Sequence, residues 1–137
     1  MCSVGCNQNP TKEQSSISEK KIKEEYDLQE RCGKQCEEFF KDEYGNGVID
    51  EEGELEKTNY QYHYNKKLNK CFIVLTTNGL VKNDNKIYKI KVFIDVNENQ
   101  DYGSFYNIGT FTICNVLDKK CISESEWDLL VKPYMGK

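Results

Sequence analysis

The residues of this chain best equipped for chemistry are its seven cysteines: Cys2, Cys6, Cys32, Cys36, Cys71, Cys114 and Cys121. A thiol can serve as nucleophile, soft metal ligand, half of a disulfide or point of covalent attachment, according to its ionisation and surroundings. No CxxC pair occurs and the single histidine is His63, so the spacing does not favour a structural zinc site. Cys32 and Cys36 stand four apart, which on a helix puts both on one stripe without letting them bond readily to each other. One of them can reach Cys71. The expected bridge takes Cys32 to Cys71 and leaves Cys36 as the free or alternative thiol, the choice between the two remaining open at this stage. Cys114 and Cys121 flank NVLDKK, a hairpin-sized connection across which they can face each other. Bridged cysteines imply an oxidising compartment.

Other candidates are weaker. In DVNENQDYG, Asp95, Asn97, Asn99 and Asp101 recur at every second position, as the oxygen ligands of calcium loops do. Gln100 and Tyr106 stand where an EF-hand needs glycine and a bidentate glutamate, so an Asx-rich hairpin turn accounts for the same residues more simply. In YQYHYNKK, Tyr60, Tyr62 and Tyr64 share one face of a strand and His63 the other, with Lys66 and Lys67 beyond. Their simplest role is packing, and their alternative role is a surface for a protein or an anionic glycan. No catalytic residues are assigned: His63 has no nucleophile in a motif with it, and no glycine-rich phosphate loop is present. A thiol enzyme would need a reactive Cys36.

These residues require elements to hold them. Residues 1–16 are polar and aperiodic and read as a disordered tether; residues 17–137 are expected to form a single domain. Ser16 and Glu19 make a capping box predicting a helix over about 17–43, with Ile22, Tyr26, Leu28, Cys32, Cys36, Phe39 and Phe40 on its apolar side. VIDEEGELEK reads as an acidic loop or ragged hairpin. Four strand signals follow, in TNYQYHYN, KCFIVLTT, KIYKIKVFID and SFYNIGTFTIC. The alternation in KIYKIKVFID predicts a dry face of Tyr88, Ile90, Val92 and Ile94 and a wet face bearing Lys89 and Lys91. Ser123 and Glu126 then cap a short helix that docks by Trp127, with Pro133 ending or kinking it. The expected fold class is α+β: a long N-terminal helix on a meander of four or five antiparallel strands, closed by a short C-terminal helix.

Charge and composition narrow the setting. The net charge is −4, split into −8 over residues 1–56 and +4 beyond, so an acidic first part is expected to complement a basic second. A sequence pI near 5.1 disfavours nucleic-acid partners, and no apolar run is long enough to span a bilayer. At the N-terminus, SVGC resembles the end of a bacterial lipobox. The resemblance makes Cys6 the lipidated residue, with NQNPTKEQSS as its tether. The segments ERCGKQCEEFF, YQYHYNKKLNKCF, KVFIDVNENQDYGSF and EWDLLVKPYM together resemble a family of small bacterial envelope proteins, across most of residues 28–136. That resemblance implies a location and a fold unit and carries no catalytic residues.

The functional expectation is a non-enzymatic lipoprotein of the bacterial cell envelope, periplasmic or surface-exposed, touching the membrane through its lipid alone. It needs no cofactor and binds an envelope or extracellular protein or glycan. The alternatives are a small periplasmic ligand- or calcium-binding module and, behind it, a thiol-dependent enzyme.

Overall fold

A computed structural model describes residues 10–136. Helix α1 (Pro10–Tyr44) is followed by strands β1 (Val48–Glu51), β2 (Glu54–Asn65), β3 (Lys70–Val81), β4 (Lys86–Asp95), β5 (Gln100–Ile108), β6 (Phe111–Val116) and β7 (Lys119–Lys120), then by helix α2 (Glu124–Met135). The strands form one antiparallel meander in the order β1 to β7. The α+β class is as expected. The strand count, seven rather than four or five, is higher for identifiable reasons.

The acidic VIDEEGELEK is a hairpin, β1 pairing Val48–Glu51 with Glu54–Lys57 around Glu52 and Gly53, and Gly53 takes the positive φ of 95° that the turn needs. SFYNIGTFTIC is two strands rather than one, because Gly109, at φ 59°, reverses the chain between Ile108 and Phe111. A two-residue β7 pairs with Asn115 and Val116. Helix α1 also begins earlier than the capping box suggests: Ser16 lies within it, and residues 10–16, expected in the tether, are helical. The remainder of that tether, with Cys2 and Cys6, lies outside the described residues.

Three successive hairpins share one device. The loops of residues 66–69, 82–85 and 96–99 each end on an asparagine, Asn69, Asn85 and Asn99, with φ between 52° and 53°. Asparagine tolerates the left-handed region better than other non-glycine residues, so the same side chain at the same loop position fixes each reversal.

Alternation along β3 builds two cores. Cys71, Ile73 and Leu75 face α1 with Cys32, Cys36, Tyr64 and Ile94. Phe72 and Val74 point the other way and join Phe93, Phe105, Val116 and the α2 residues Trp127, Val131 and Met135. The central strand is therefore apolar on both sides because a helix covers each side. The expected wet face of β4 lies under α2: Lys91 pairs with Asp128 at 2.7 Å and with Glu124 at 3.1 Å, and Lys89 pairs with Glu124 at 3.0 Å.

At the start of α2, Ser123 Oγ accepts the Glu126 N–H at 3.2 Å, while Glu126 Oε2 accepts from Ile122 N. Pro133 neither ends nor precedes the end of the element immediately; the helix runs on to Met135 and stops at Gly136 in the left-handed conformation. The two halves of the charge pattern meet in ion pairs between Lys66 and Glu25 and between Lys82 and Asp50.

Candidate functional site

Two consecutive turns of α1 and the first residue pair of β3 assemble three sulfurs. Cys32 and Cys71 form a disulfide, with Cα atoms 5.4 Å apart. Cys36, one turn beyond Cys32, is fully buried and keeps its thiol, with Sγ 3.5 Å from Cys71 Sγ and 3.9 Å from the Phe72 carbonyl oxygen, to which it can donate. Burial in this apolar setting pushes the Cys36 thiol up to about 12, which suppresses the nucleophilic thiolate at neutral pH. Among the described residues these cysteines are the one cluster of His, Cys, Asp or Glu whose ligand atoms lie within 4.8 Å of each other. Two of its three sulfurs are committed to the bridge. A second disulfide joins Cys114 on β6 to Cys121 after β7, and the Cys121 N–H bonds the Cys114 carbonyl at 3.0 Å.

The outer side of the first bridge opens on a polar cleft of about 460 Å³, lined by Cys32 and Cys71 together with Arg31, Gln35, Lys70 and Asn97. Cys36 is not among its lining residues.

The candidate calcium residues have separate partners in the fold. Asp95 is fully buried; its carboxylate accepts Lys70 Nζ at 2.8 Å, the Glu98 N–H at 3.2 Å and the Tyr102 hydroxyl at 3.5 Å. Asn97 Oδ1 instead accepts the Cys71 N–H at 3.1 Å. Asn99 supplies the left-handed turn residue and Asp101 is exposed at the start of β5. The loop is a hydrogen-bonded Asx turn that fastens the β4–β5 hairpin to β3. Hydrogen bonds to Asp95 and then Glu98 raise the Lys70 ammonium above its usual value.

The aromatic and basic run of β2 divides between surfaces. Tyr60 packs with the α1-side core, its ring 4.7 Å from that of Phe40. Tyr64 is buried, and its hydroxyl donates to Asn69. Tyr62 is half-exposed and its hydroxyl fits against Gly33, where a Cβ would come within 2.8 Å of the oxygen. His63 faces α2, against Gly136. Lys66 reaches Glu25 at 2.9 Å, and Lys67 is exposed. Tyr62, His63 and Tyr64 border one cavity of about 360 Å³ with Tyr26, Gln29 and Glu30 of α1, whereas Tyr60, Lys66 and Lys67 lie outside it.

Sequence reasoning missed two surfaces. One is a cleft of about 660 Å³ between α2 and the sheet, with Trp127, Val131 and Met135 on one wall and Asn59, Thr76 and Lys91 on the other. Lys91, 5.5 Å from the centre of the Trp127 ring, already carries carboxylate partners there. The other is the part of the α1-side sheet face that α1 leaves open. The register aligns Ile90, Tyr106 and Ile113 in one row and Ile108 and Phe111 in the next, with Phe111 56% and Ile113 44% exposed. No charged residue occurs between Asp101 and Asp118, in a chain that is 31% charged. This neutrality is visible in the sequence, but the strand signals there do not say which side of the sheet a helix covers. Because β7 pairs only with Asn115 and Val116, the outer edge of β6 from Phe111 to Ile113 has no neighbouring strand among the described residues.

No family model matches the chain, nor does any curated protein or solved structure. The envelope resemblance therefore rests on the quoted sequence segments alone.

Proposed function

We propose that the chain is a non-enzymatic binding module of the bacterial cell envelope, anchored by lipid on Cys6 and engaging an envelope or extracellular protein. The observation that carries the binding role is the neutral, apolar sheet surface of Ile90, Tyr106, Ile108, Phe111 and Ile113 beside an open β6 edge. Such an edge supplies backbone donors and acceptors to an added strand, while the alternate side chains fill pockets on the partner. This favours a protein segment over a glycan, which would call for polar and charged contacts. Two disulfides in a small domain support the oxidising location. No helix among the described residues is long and apolar enough to cross a membrane.

The test is photo-cross-linking in cells expressing the full lipoprotein precursor, with the reactive group at Phe111 or Ile113 and, as control, at Lys82 on the β3–β4 turn. A discrete protein adduct from the first two positions and none from the third is expected. No adduct from either sheet position would remove the proposed surface. Loss of palmitate-analogue labelling in Cys6→Ser tests the anchor separately.

A further inference from the structure

We infer that the three-sulfur cluster is a disulfide relay in which Cys71 can pass from Cys32 to Cys36, presenting Cys32 as a reactive thiol in the polar cleft. The inference is independent of what the protein binds. It rests on the placement of Cys36 Sγ 3.5 Å from Cys71 Sγ, already at contact distance from one atom of an existing disulfide. The helical spacing makes the two partners near-equivalent for Cys71: Cys32 and Cys36 stand on consecutive turns of one stripe, and both are buried against the start of β3.

The step balances within the molecule. The Cys36 thiol gives up its proton and its sulfur attacks Cys71 Sγ; the Cys36–Cys71 bond forms as the Cys32–Cys71 bond breaks. The electron pair of the broken bond goes to Cys32 Sγ, which takes up a proton. One disulfide and one thiol are present before and after, so no oxidant or reductant is consumed.

What changes is the address of the free thiol. In the starting arrangement it belongs to Cys36, enclosed by the apolar core; afterwards it belongs to Cys32, which is itself buried but stands at the wall of the cleft with Arg31, Lys70 and Glu98. Lys70 is already paired with Asp95 and Glu98, so the cation that favours a thiolate there is Arg31, and the cleft has the volume to take a small molecule. The chemical class of reactant that fits is a low-molecular-weight electrophile or disulfide. A disulfide R–S–S–R would be attacked by the Cys32 thiolate, giving the Cys32–S–S–R adduct and releasing R–S⁻. Capture of Cys32 then draws the interchange forward, even though the starting arrangement keeps its free thiol shielded.

The experiment uses the folded chain with Cys2→Ser and Cys6→Ser, so that tail thiols neither react nor attack the bridge. Protein without reductant is incubated with iodoacetamide at mildly alkaline pH, quenched in acid and mapped by mass spectrometry. The expected product carries one carbamidomethyl group on Cys32 and a disulfide between the Cys36 and Cys71 peptides. Adding Cys36→Ser, which leaves the Cys32–Cys71 bridge in place, is expected to abolish labelling of Cys32. Label on Cys36 with the Cys32–Cys71 bridge intact would show that reaction proceeds through opening of the core and would overturn the relay. Absence of label at both positions, or Cys32 labelling that persists in Cys36→Ser, would overturn it equally.

Discussion

The ring of Tyr88 lies across Gly79, its partner on β3, so closely that a Cβ built on the glycine would run into the ring itself. The missing side chain lets the tyrosine lie flat over β3 and extend its hydroxyl to β2, where Glu54 Oε1 lies at 2.6 Å and Glu56 also accepts. One aromatic thus couples three strands. Gly79→Ala forces the ring off this path and is expected to destabilise the fold by about 2–3 kcal/mol, measured by urea unfolding. Burial, followed by the hydrogen bonds to Glu54 and Glu56, raises the Tyr88 phenol well above its ordinary value. A raised folded value means that the contribution is fully present below the unfolded tyrosine value and falls away as pH rises beyond about 10. Tyr88→Phe should weaken this alkaline loss of stability, as read from unfolding free energies on both sides of that pH.

The buried Asp95 carboxylate ties Lys70, the Glu98 amide and the Tyr102 hydroxyl into the β4–β5 turn. Asp95→Ala leaves the Glu98 amide and the Tyr102 hydroxyl without this acceptor, while Lys70 keeps Glu98 at 3.2 Å. The Lys70 ammonium regains water because its side chain is 28% exposed, which keeps the expected cost near the lower end of the range, about 2–3 kcal/mol. Asp101→Ala, at an exposed strand start, should change stability by no more than about 0.5 kcal/mol. Calcium titration followed by thermal unfolding provides the complementary check: with the Asp95 oxygens held by protein donors, the midpoint is expected to stay where it is.

Local chemistry explains what was legible in the sequence. The stripe from Ile22 to Phe40 announces a helix with a buried side, but only its part from Leu28 onward packs on the sheet, Ile22 and Tyr26 being 63% and 69% exposed; the 114–121 spacing announces a hairpin bridge because its signal is local. Choosing between Cys32 and Cys36 required knowing where β3 meets a particular helical turn, which spacing alone does not contain. Lys89 and Lys91 look like a solvated face for the same reason. Their cover, Glu124 and Asp128, lies more than thirty residues away and converts a wet face into an ion-paired layer under α2. The uncovered surface around Phe111 and Ile113 escaped notice because apolar alternation reports a preference for burial, whereas the position of α1 over β2 and β3 decides which strands receive cover.

The two disulfides close loops of very different length, with sequence separations of 39 and 7. In the chain-entropy model the longer loop contributes about 4 kcal/mol and the shorter about 2.4 kcal/mol. Replacing Cys32 and Cys71 together by alanine should therefore cost more than replacing Cys114 and Cys121 together. The difference should widen because the first pair also anchors α1 to the sheet. Denaturant unfolding of the two double variants checks the ranking, and a larger loss from the 114–121 pair would count against the entropic account.

Glu124 gives the acid limb of the stability profile a specific source. Its partial burial works against the charged form, but hydrogen bonds from Lys89 and Lys91 outweigh that penalty and hold its carboxyl below its ordinary value. A depressed folded value stabilises the protein above the unfolded pKa and ceases to do so as pH falls through the folded one. The contribution is therefore intact at neutral pH and declines below about 4.5. Glu124→Gln keeps the shape of the side chain but removes this linkage, and it leaves the low-exposure Lys91 ammonium with Asp128 as its ion partner. The variant is expected to be less stable than the parent at pH 7 and to approach it as the pH falls. Urea unfolding at a series of pH values reads the convergence directly; parallel curves would mean that Glu124 contributes through packing rather than charge.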